Sequence, residues 1–190
     1  RILGYSGGFG VGFLPADLLH HVVEHGDEED ADDSGRQHAA DDRAAHDLAA
    51  RATAAYEGAR QRVKHFINAP DVNEVIFVRG TTEAINLVAK SWGGQHIGAG
   101  DEIIVSNLEH HANIVPWQLV AARAGARVVA APITPAGELD VAAFVERLTP
   151  NVKLAAVTHV SNVLGTVNPI AQLARECRRR GIPLLVDGSQ

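Results

Sequence analysis

The chain has 190 residues, of which 46% are hydrophobic, and 17 Lys and Arg against 23 Asp and Glu give a net charge of −6. This size and composition fit one domain with a sizeable core and exclude a wholly disordered chain. The acidic balance argues against nucleic acid or an anionic membrane as the main partner, and no apolar run approaches the ~20 residues that span a bilayer. A single cysteine, Cys177, excludes an internal disulfide and fits a reducing, cytoplasmic setting.

Residues 1–42 are predicted to form an irregular or disordered N-terminal segment. The glycine-rich stretch of residues 6–12 does not fit the GxGxxG pattern of a phosphate loop. Residues 27–33 hold six carboxylates in seven positions, and such a block of like charges repels itself and stays solvated. A metal site in this block is the alternative, although the glycine and terminal glutamate of a calcium loop are missing.

Residues 43–190 have the pattern of an α/β domain. Between Asp42 and Asn68, apolar residues recur at three- and four-residue steps, which predicts an amphipathic helix that ends before Pro70. Its apolar stripe consists of Leu48, Ala52, Ala55, Tyr56, Ala59, Val63 and Phe66. The strands predicted after it are 75–78, 102–106, 127–131, 153–158 and 182–187, and the helices are 82–92, 114–124, 140–148 and 170–180. Apolar strands that alternate with helices indicate a mostly parallel sheet with helices on both faces.

Ligands of open α/β sheets bind at the carboxyl ends of the strands, and four loops at such ends carry polar residues. The first loop, residues 79–83, reads Arg-Gly-Thr-Thr-Glu between a strand and a helix. The free N–H groups of the helix start and the hydroxyls of Thr81 and Thr82 can hold a phosphate, and a plain helix cap explains these residues equally well. Because the lysine of a nucleoside-triphosphate loop is missing, a cofactor phosphate is favoured over ATP.

The second loop contains the adjacent residues His110 and His111. An imidazole at this position can stack on an aromatic ring or transfer a proton near neutral pH, and two surface histidines are the alternative. Neighbouring histidines point different ways in most backbones, so we predict no metal site here.

The third and fourth loops end the last two predicted strands. In the third, Ser161 and Asn162 can hydrogen-bond a ring substituent or a substrate carboxylate, ordinary turn chemistry is the alternative, and His159 fits a buried core position equally well. In the fourth, Asp187 is costly to bury unpaired, which suggests a cationic partner such as a protonated pyridine nitrogen, with a helix cap as the alternative. One cofactor, pyridoxal 5′-phosphate (PLP), accounts for all four loops together.

Residues 74–190 resemble the class V aminotransferase superfamily and are most similar to the Suf-type cysteine desulfurases, and the resemblance extends back to about residue 45. The strings that carry it are RGTTE at 79–83, EHHANIVPW at 109–117, THVSNVLGT at 158–166 and VDGSQ at 186–190. The resemblance implies the large domain of a PLP-dependent transferase, incomplete in this chain, with PLP as cofactor and no metal. It also implies a reaction that takes sulfur from L-cysteine, leaves L-alanine, and passes a persulfide to a sulfur-acceptor protein for iron–sulfur cluster assembly.

The same resemblance implies a role for each matching residue. Thr81 and Thr82 would lie at the phosphate, His110 would stack on the pyridine ring and assist proton transfer, Asn162 would lie by the ring hydroxyl and substrate carboxylate, Asp187 would keep the ring nitrogen protonated, and Gln190 would reach the ring oxygen. A homodimer is implied for the complete enzyme, because sites of this family form near the subunit boundary.

The chain also departs from the family pattern. The family's Schiff-base lysine follows a Ser-x-His-Lys pattern beyond Gln190, and its nucleophilic cysteine lies later still. Lys64, Lys90 and Lys153 stand in the wrong contexts to replace that lysine, and Cys177 is predicted to be structural. We therefore expect this chain alone to be inactive and prone to aggregation. The alternatives are a selenocysteine lyase, an amino-acid epimerase or another class V relative, and a non-catalytic remnant.

Overall fold

A parallel β-sheet of five strands carries the loops that the sequence singled out. The structure, a computed structural model, describes Ile2, Leu3 and residues 34–190, with side chains from Asp42 onward. The strands lie in the order β1-β5-β4-β2-β3, and every neighbouring pair is parallel. They are β1 (Ile2–Leu3), β2 (Glu102–Ser106), β3 (Arg127–Ala131), β4 (Val152–Thr158) and β5 (Leu184–Asp187).

Helices connect the strands, as parallel pairing requires. They are α1 (Ser34–Phe66), α2 (Thr81–Val88), α3 (Gly94–His96), α4 (Val115–Ala124), α5 (Val141–Glu146) and α6 (Ile170–Arg179). A π-helical turn, Ala89–Gly93, joins α2 to α3, and 3₁₀ turns occupy Val72–Glu74 and His111–Asn113. The side chain of Asp140 caps α5 by accepting a hydrogen bond from the Ala143 N–H at 2.9 Å. These bounds agree closely with the predicted helices and strands from residue 82 onward.

Two hydrophobic clusters pack on opposite faces of the sheet. Along β2, Ile104 packs into one cluster, whereas Ile103 and Val105 pack into the other, because successive strand side chains point to opposite faces. Phe144 of α5 belongs to the first cluster, and Trp117 of α4 belongs to the second. The predicted fold class, a mostly parallel sheet with helices on both faces, is therefore confirmed.

Helix α1 belongs to a separate unit, residues 14–72, while residues 1–13 and 73–190 form the other. The helix begins at Ser34, eight residues before the predicted start, so the end of the predicted irregular segment 1–42 is helical. It ends at Phe66, and two residues later Asn68 has a left-handed backbone (φ 52°), a common feature just beyond the end of a helix. The Arg60 guanidinium bonds both Glu57 in the same helix and the Val72 carbonyl beyond its end. Within the described residues, no helix has the length and apolarity needed to cross a bilayer.

The structure differs from the predicted strands in two places. Residues 75–78 do not form a strand of the sheet, although Val75 is buried, because an apolar run satisfies burial without joining a hydrogen-bonded ladder. Strand β1 was not predicted, since two apolar residues carry no periodic pattern and pairing with β5 alone defines it. The glycine-rich stretch of residues 6–12 and the acidic block of residues 27–33 lie outside the described residues.

The packing of α6 predicts a large loss of stability on truncation of its central leucine. Leu173 is fully buried, so Leu173→Ala is expected to lower the free energy of unfolding by about 2–5 kcal/mol. The matched control is Leu119→Ala on α4, where the leucine is 53% exposed and the loss should stay below about 1 kcal/mol. Chemical denaturation measures both, and equal losses would contradict this description of the core.

The burial of Cys177 predicts an unreactive thiol. The side chain lies in the cluster beneath α6, and burial raises the pKa of its thiol to about 11. The thiolate is the reactive form, and a thiol with this pKa is roughly 0.1% ionised at pH 8. A thiol reagent should label the denatured chain once and the native chain hardly at all. Rapid labelling of native protein would contradict the structural role of Cys177.

Candidate functional site

A cavity of about 830 Å³ opens where β4 and β5 end. Thr158, the last residue of β4, and Asp187, the last residue of β5, both line it. All six residues that the sequence predicted for the cofactor also line it: Thr81, Thr82, His110, Asn162, Asp187 and Gln190. The structure therefore brings the four predicted loops to one hollow, while the role of each residue stays a prediction.

The start of α2 forms one wall of the cavity. Gly80 occupies the N-cap position and has no side chain to bond the first free N–H groups of the helix. The Glu83 carboxylate is engaged by Arg79 instead: it accepts from the Arg79 N–H at 2.8 Å and pairs with the Arg79 guanidinium. This pairing holds the pKa of the exposed Glu83 carboxyl below its usual value. No side chain therefore caps α2 at Gly80, and the free N–H groups of a helix start are of the kind that can bind an anion.

A buried carboxylate lies at the end of β5. Asp187 is 4% exposed, and its Oδ1 atom accepts from the N–H of Ser189 at 3.1 Å and from the Ser189 hydroxyl. The Ser189 hydroxyl also lies 2.7 Å from the hydroxyl of Thr81. A hydroxyl has one proton and a carboxylate only accepts, so Thr81 donates to Ser189 while Ser189 donates to Asp187. This relay links the start of α2 to the end of β5, and its two hydroxyls belong to residues that are 108 positions apart in the sequence.

His110 lines the cavity from the loop after β2. Its Nδ1 atom accepts from the Ala112 N–H at 3.2 Å, so the neutral ring carries its proton on Nε2. The rings of His110 and His111 lie 3.9 Å apart, tilted by 38°. The expectation that these neighbours point different ways was wrong, because the backbone turns from an extended residue at His110 into a 3₁₀ turn. Nowhere in the described part of the chain are three His, Cys, Asp or Glu side chains grouped to hold a metal ion.

The loop after β4 presents Asn162 to the cavity. Ser161 braces this loop, since its N–H donates to the Thr166 carbonyl at 2.9 Å and its own carbonyl accepts from the Gly165 N–H at 2.9 Å. Asn162 itself is exposed, which leaves its amide accessible to a ligand. The alternative of a buried core position for His159 was wrong, because that side chain is exposed.

Glu109 is a residue that the sequence analysis did not single out. Its Oε1 atom accepts from the Thr158 N–H at 2.8 Å and from the Ser106 hydroxyl, and its Oε2 atom accepts from the Asn113 amide at 2.7 Å. Burial raises the pKa of the Glu109 carboxyl, with a smaller contribution from the charge of Asp187, and the three hydrogen bonds oppose that rise. The sequence feature that could have indicated Glu109 is its position directly before the candidate residue His110.

Two further residues of the cavity wall were also missed. Asn86 and Lys90 follow Thr82 at four-residue steps along α2 and the π-helical turn, and both line the cavity. The Asn86 amide donates to the Thr82 carbonyl at 2.8 Å. The four-residue spacing of Thr82, Asn86 and Lys90 can be read from the sequence. The sequence does not show that this face of the helix lines the cavity.

Known proteins share both this sequence and this fold. The family model described as aminotransferase class-V matches residues 15–190. A probable cysteine desulfurase of Mycolicibacterium paratuberculosis is 55% identical over 148 residues, which are 78% of this chain and 22% of that protein. A cysteine desulfurase of Klebsiella pneumoniae (strain 342) is 51% identical over 153 residues, 80% of this chain and 38% of that protein. The chain thus spans between 22% and 38% of the length of these relatives.

A solved structure agrees with the sequence match. The crystal structure of the cysteine desulfurase CsdA from Escherichia coli superposes with a TM-score of 0.70 at 42% identity, covering 75% of this chain and 36% of that one. Three quarters of this chain therefore share their fold with that enzyme. With the family model matching nearly the whole chain, we conclude that the chain belongs to the class V aminotransferase family.

Proposed function

We propose that the protein is a PLP-dependent cysteine desulfurase and that residues 73–190 supply the phosphate-binding and ring-binding part of its site. The observation that carries this proposal is the buried carboxylate of Asp187 at the wall of the cavity. Among the described residues, no cationic side chain forms an ion pair with it. A buried carboxylate is costly without a positive partner, and the protonated nitrogen of a pyridine ring meets that need.

The opposite wall of the cavity supports the other end of the same cofactor. The uncapped start of α2 and the hydroxyls of Thr81 and Thr82 suit a dianionic phosphate. The relay from Thr81 through Ser189 to Asp187 fixes the two binding ends relative to one another. A volume of about 830 Å³ leaves room for a ring, its phosphate and an amino-acid substrate together.

The remaining lining residues have matching tasks in this proposal. His110 packs on the face of the ring and exchanges a proton through its Nε2–H. Asn162 and Gln190 hold the oxygen substituent of the ring, and Asn162 also meets the carboxylate of L-cysteine. When bound, PLP supplies an electron sink for the bond that is broken in the substrate.

The other features of the complete protein are also proposals. L-Cysteine is the substrate, and the sulfur leaves on an acceptor protein after transfer to a cysteine other than the buried Cys177. A homodimer and a role in iron–sulfur cluster assembly follow from the family. A cytoplasmic location stays a prediction from the single cysteine.

Loss of the Asp187 charge is expected to weaken cofactor binding. Asp187→Asn keeps the shape but removes the charge, so the dissociation constant for PLP should rise at least about tenfold, the loss expected for one charge-assisted interaction. Equilibrium dialysis measures it directly. The matched control is Asp140→Asn, which keeps the cap of α5 and should bind PLP like the parent chain. Unchanged affinity in Asp187→Asn would contradict the proposed ring site.

Catalysis by these 190 residues alone is expected to fail. The chain has three lysines, Lys64, Lys90 and Lys153, and none follows a Ser-x-His pattern. Without a lysine at the reacting position, the site lacks its usual proton carrier. With L-cysteine and PLP, the chain should form no more L-alanine than PLP alone.

Lys90 provides the check on this expectation, since it lines the cavity. Sustained L-alanine formation that disappears in Lys90→Ala would show that Lys90 serves as the missing lysine. Sustained formation that survives this substitution would equally contradict an inactive chain.

A further inference from the structure

Glu109 stands out among the described residues because it is a mostly buried carboxylate directly behind the cavity, yet does not line it. It lies in the loop after β2 and immediately precedes His110, which lines the cavity. Its three hydrogen-bond donors come from β2 (Ser106), the 3₁₀ turn (Asn113) and the end of β4 (Thr158). One side chain thus connects three separate pieces of backbone around the strand ends.

The contact with β4 leads on to Asp187. Thr158 is the register partner of Asp187 in the parallel pair of β4 and β5. Next to it, the His159 N–H donates to the Asp187 carbonyl at 2.7 Å. The position of the Thr158 backbone, which Glu109 holds through the Thr158 N–H, therefore sets the position of Asp187.

The contact with Asn113 determines which side chains can take the place of Glu109. Asn113 is fully buried, donates its amide to Glu109 and accepts from the indole N–H of Trp117 at 3.0 Å. Every partner of Glu109 is a donor, so only a side chain with two acceptor oxygens satisfies them all. A glutamine would place its own NH₂ against the Asn113 amide, and turning Asn113 over would leave the Trp117 N–H without an acceptor.

We propose that Glu109 is a positioning residue that sets His110 and Asp187 at their working separation across the cavity by bridging the ends of β2 and β4. The proposal rests on the proposed PLP site for its functional meaning. Its structural content, a fixed geometry of His110 and of the Thr158 backbone, holds whether or not PLP is the ligand.

The test uses one disrupting variant, one repaired variant and one matched control. Glu109→Gln creates the donor–donor conflict with Asn113. The double variant Glu109→Gln with Asn113→Asp restores every hydrogen bond with one of them reversed, because the new carboxylate accepts from both the glutamine and Trp117. The control is Glu102→Gln, which changes another buried carboxylate at the far end of β2, where its partners are Arg127 and Thr149.

Two measurements separate positioning from a general loss of stability. At a temperature where all variants are folded, Glu109→Gln should bind PLP roughly tenfold more weakly. The repaired double variant should recover most of that affinity, and Glu102→Gln should bind like the parent chain. Equal binding by Glu109→Gln and the parent, or equal weakening in Glu102→Gln, would overturn the proposal.

The second measurement needs no cofactor. Nitrogen NMR of the protein alone reports the chemical shifts of the His110 ring and the exchange protection of the Thr158 N–H. Both should change in Glu109→Gln and return to the parent values in the repaired variant. Both should match the parent in Glu102→Gln. If the parent chain fails to bind PLP, the proposed function fails, and this measurement alone decides the role of Glu109. Unchanged His110 and Thr158 signals in Glu109→Gln would overturn the positioning role.

Discussion

The register of β4 against β5 is the constraint on which the site depends. Parallel pairing places Thr158 beside Asp187, so both strands end at the same edge of the sheet. The two residues are buried, and their backbone groups bond Glu109 from the loop after β2 and His159 and Asn168 from the loop after β4. A shift by one residue would turn Asp187 toward the opposite face and remove the carboxylate from the cavity.

The two hydrophobic clusters make this edge rigid. The central strands β2 and β4 are covered on both faces, and their apolar residues leave little room for a change of register. Polar groups are confined to the ends of the strands, where they bond one another through Glu109, Asn168 and Ser189. A rigid apolar framework therefore carries a polar edge, which suits a site that must hold a flat ring by its periphery.

Much of the fold could be predicted because its signals are local. The bounds of β2 and β3 were predicted to the residue, since runs such as Ile103–Val105 are apolar throughout and end at polar or turn residues. The start of α1 and the existence of β1 could not be predicted. Ser34 stands in a polar stretch with no apolar period, and β1 is defined by its pairing with β5, a partner more than 180 residues away in sequence.

The sequence by itself determined the order of helices and strands, the class of the sheet and the residue types at each strand end. Local periodicity and turn chemistry act over a few residues, so they can be recognised from neighbouring positions in the sequence. Only the tertiary structure decided that Thr82, His110 and Asp187 share one cavity, that Glu83 leaves the start of α2 uncapped, and that Glu109 joins β2 to β4. Those facts depend on strand order and side-chain direction, which arise from packing between distant segments and have no local signature.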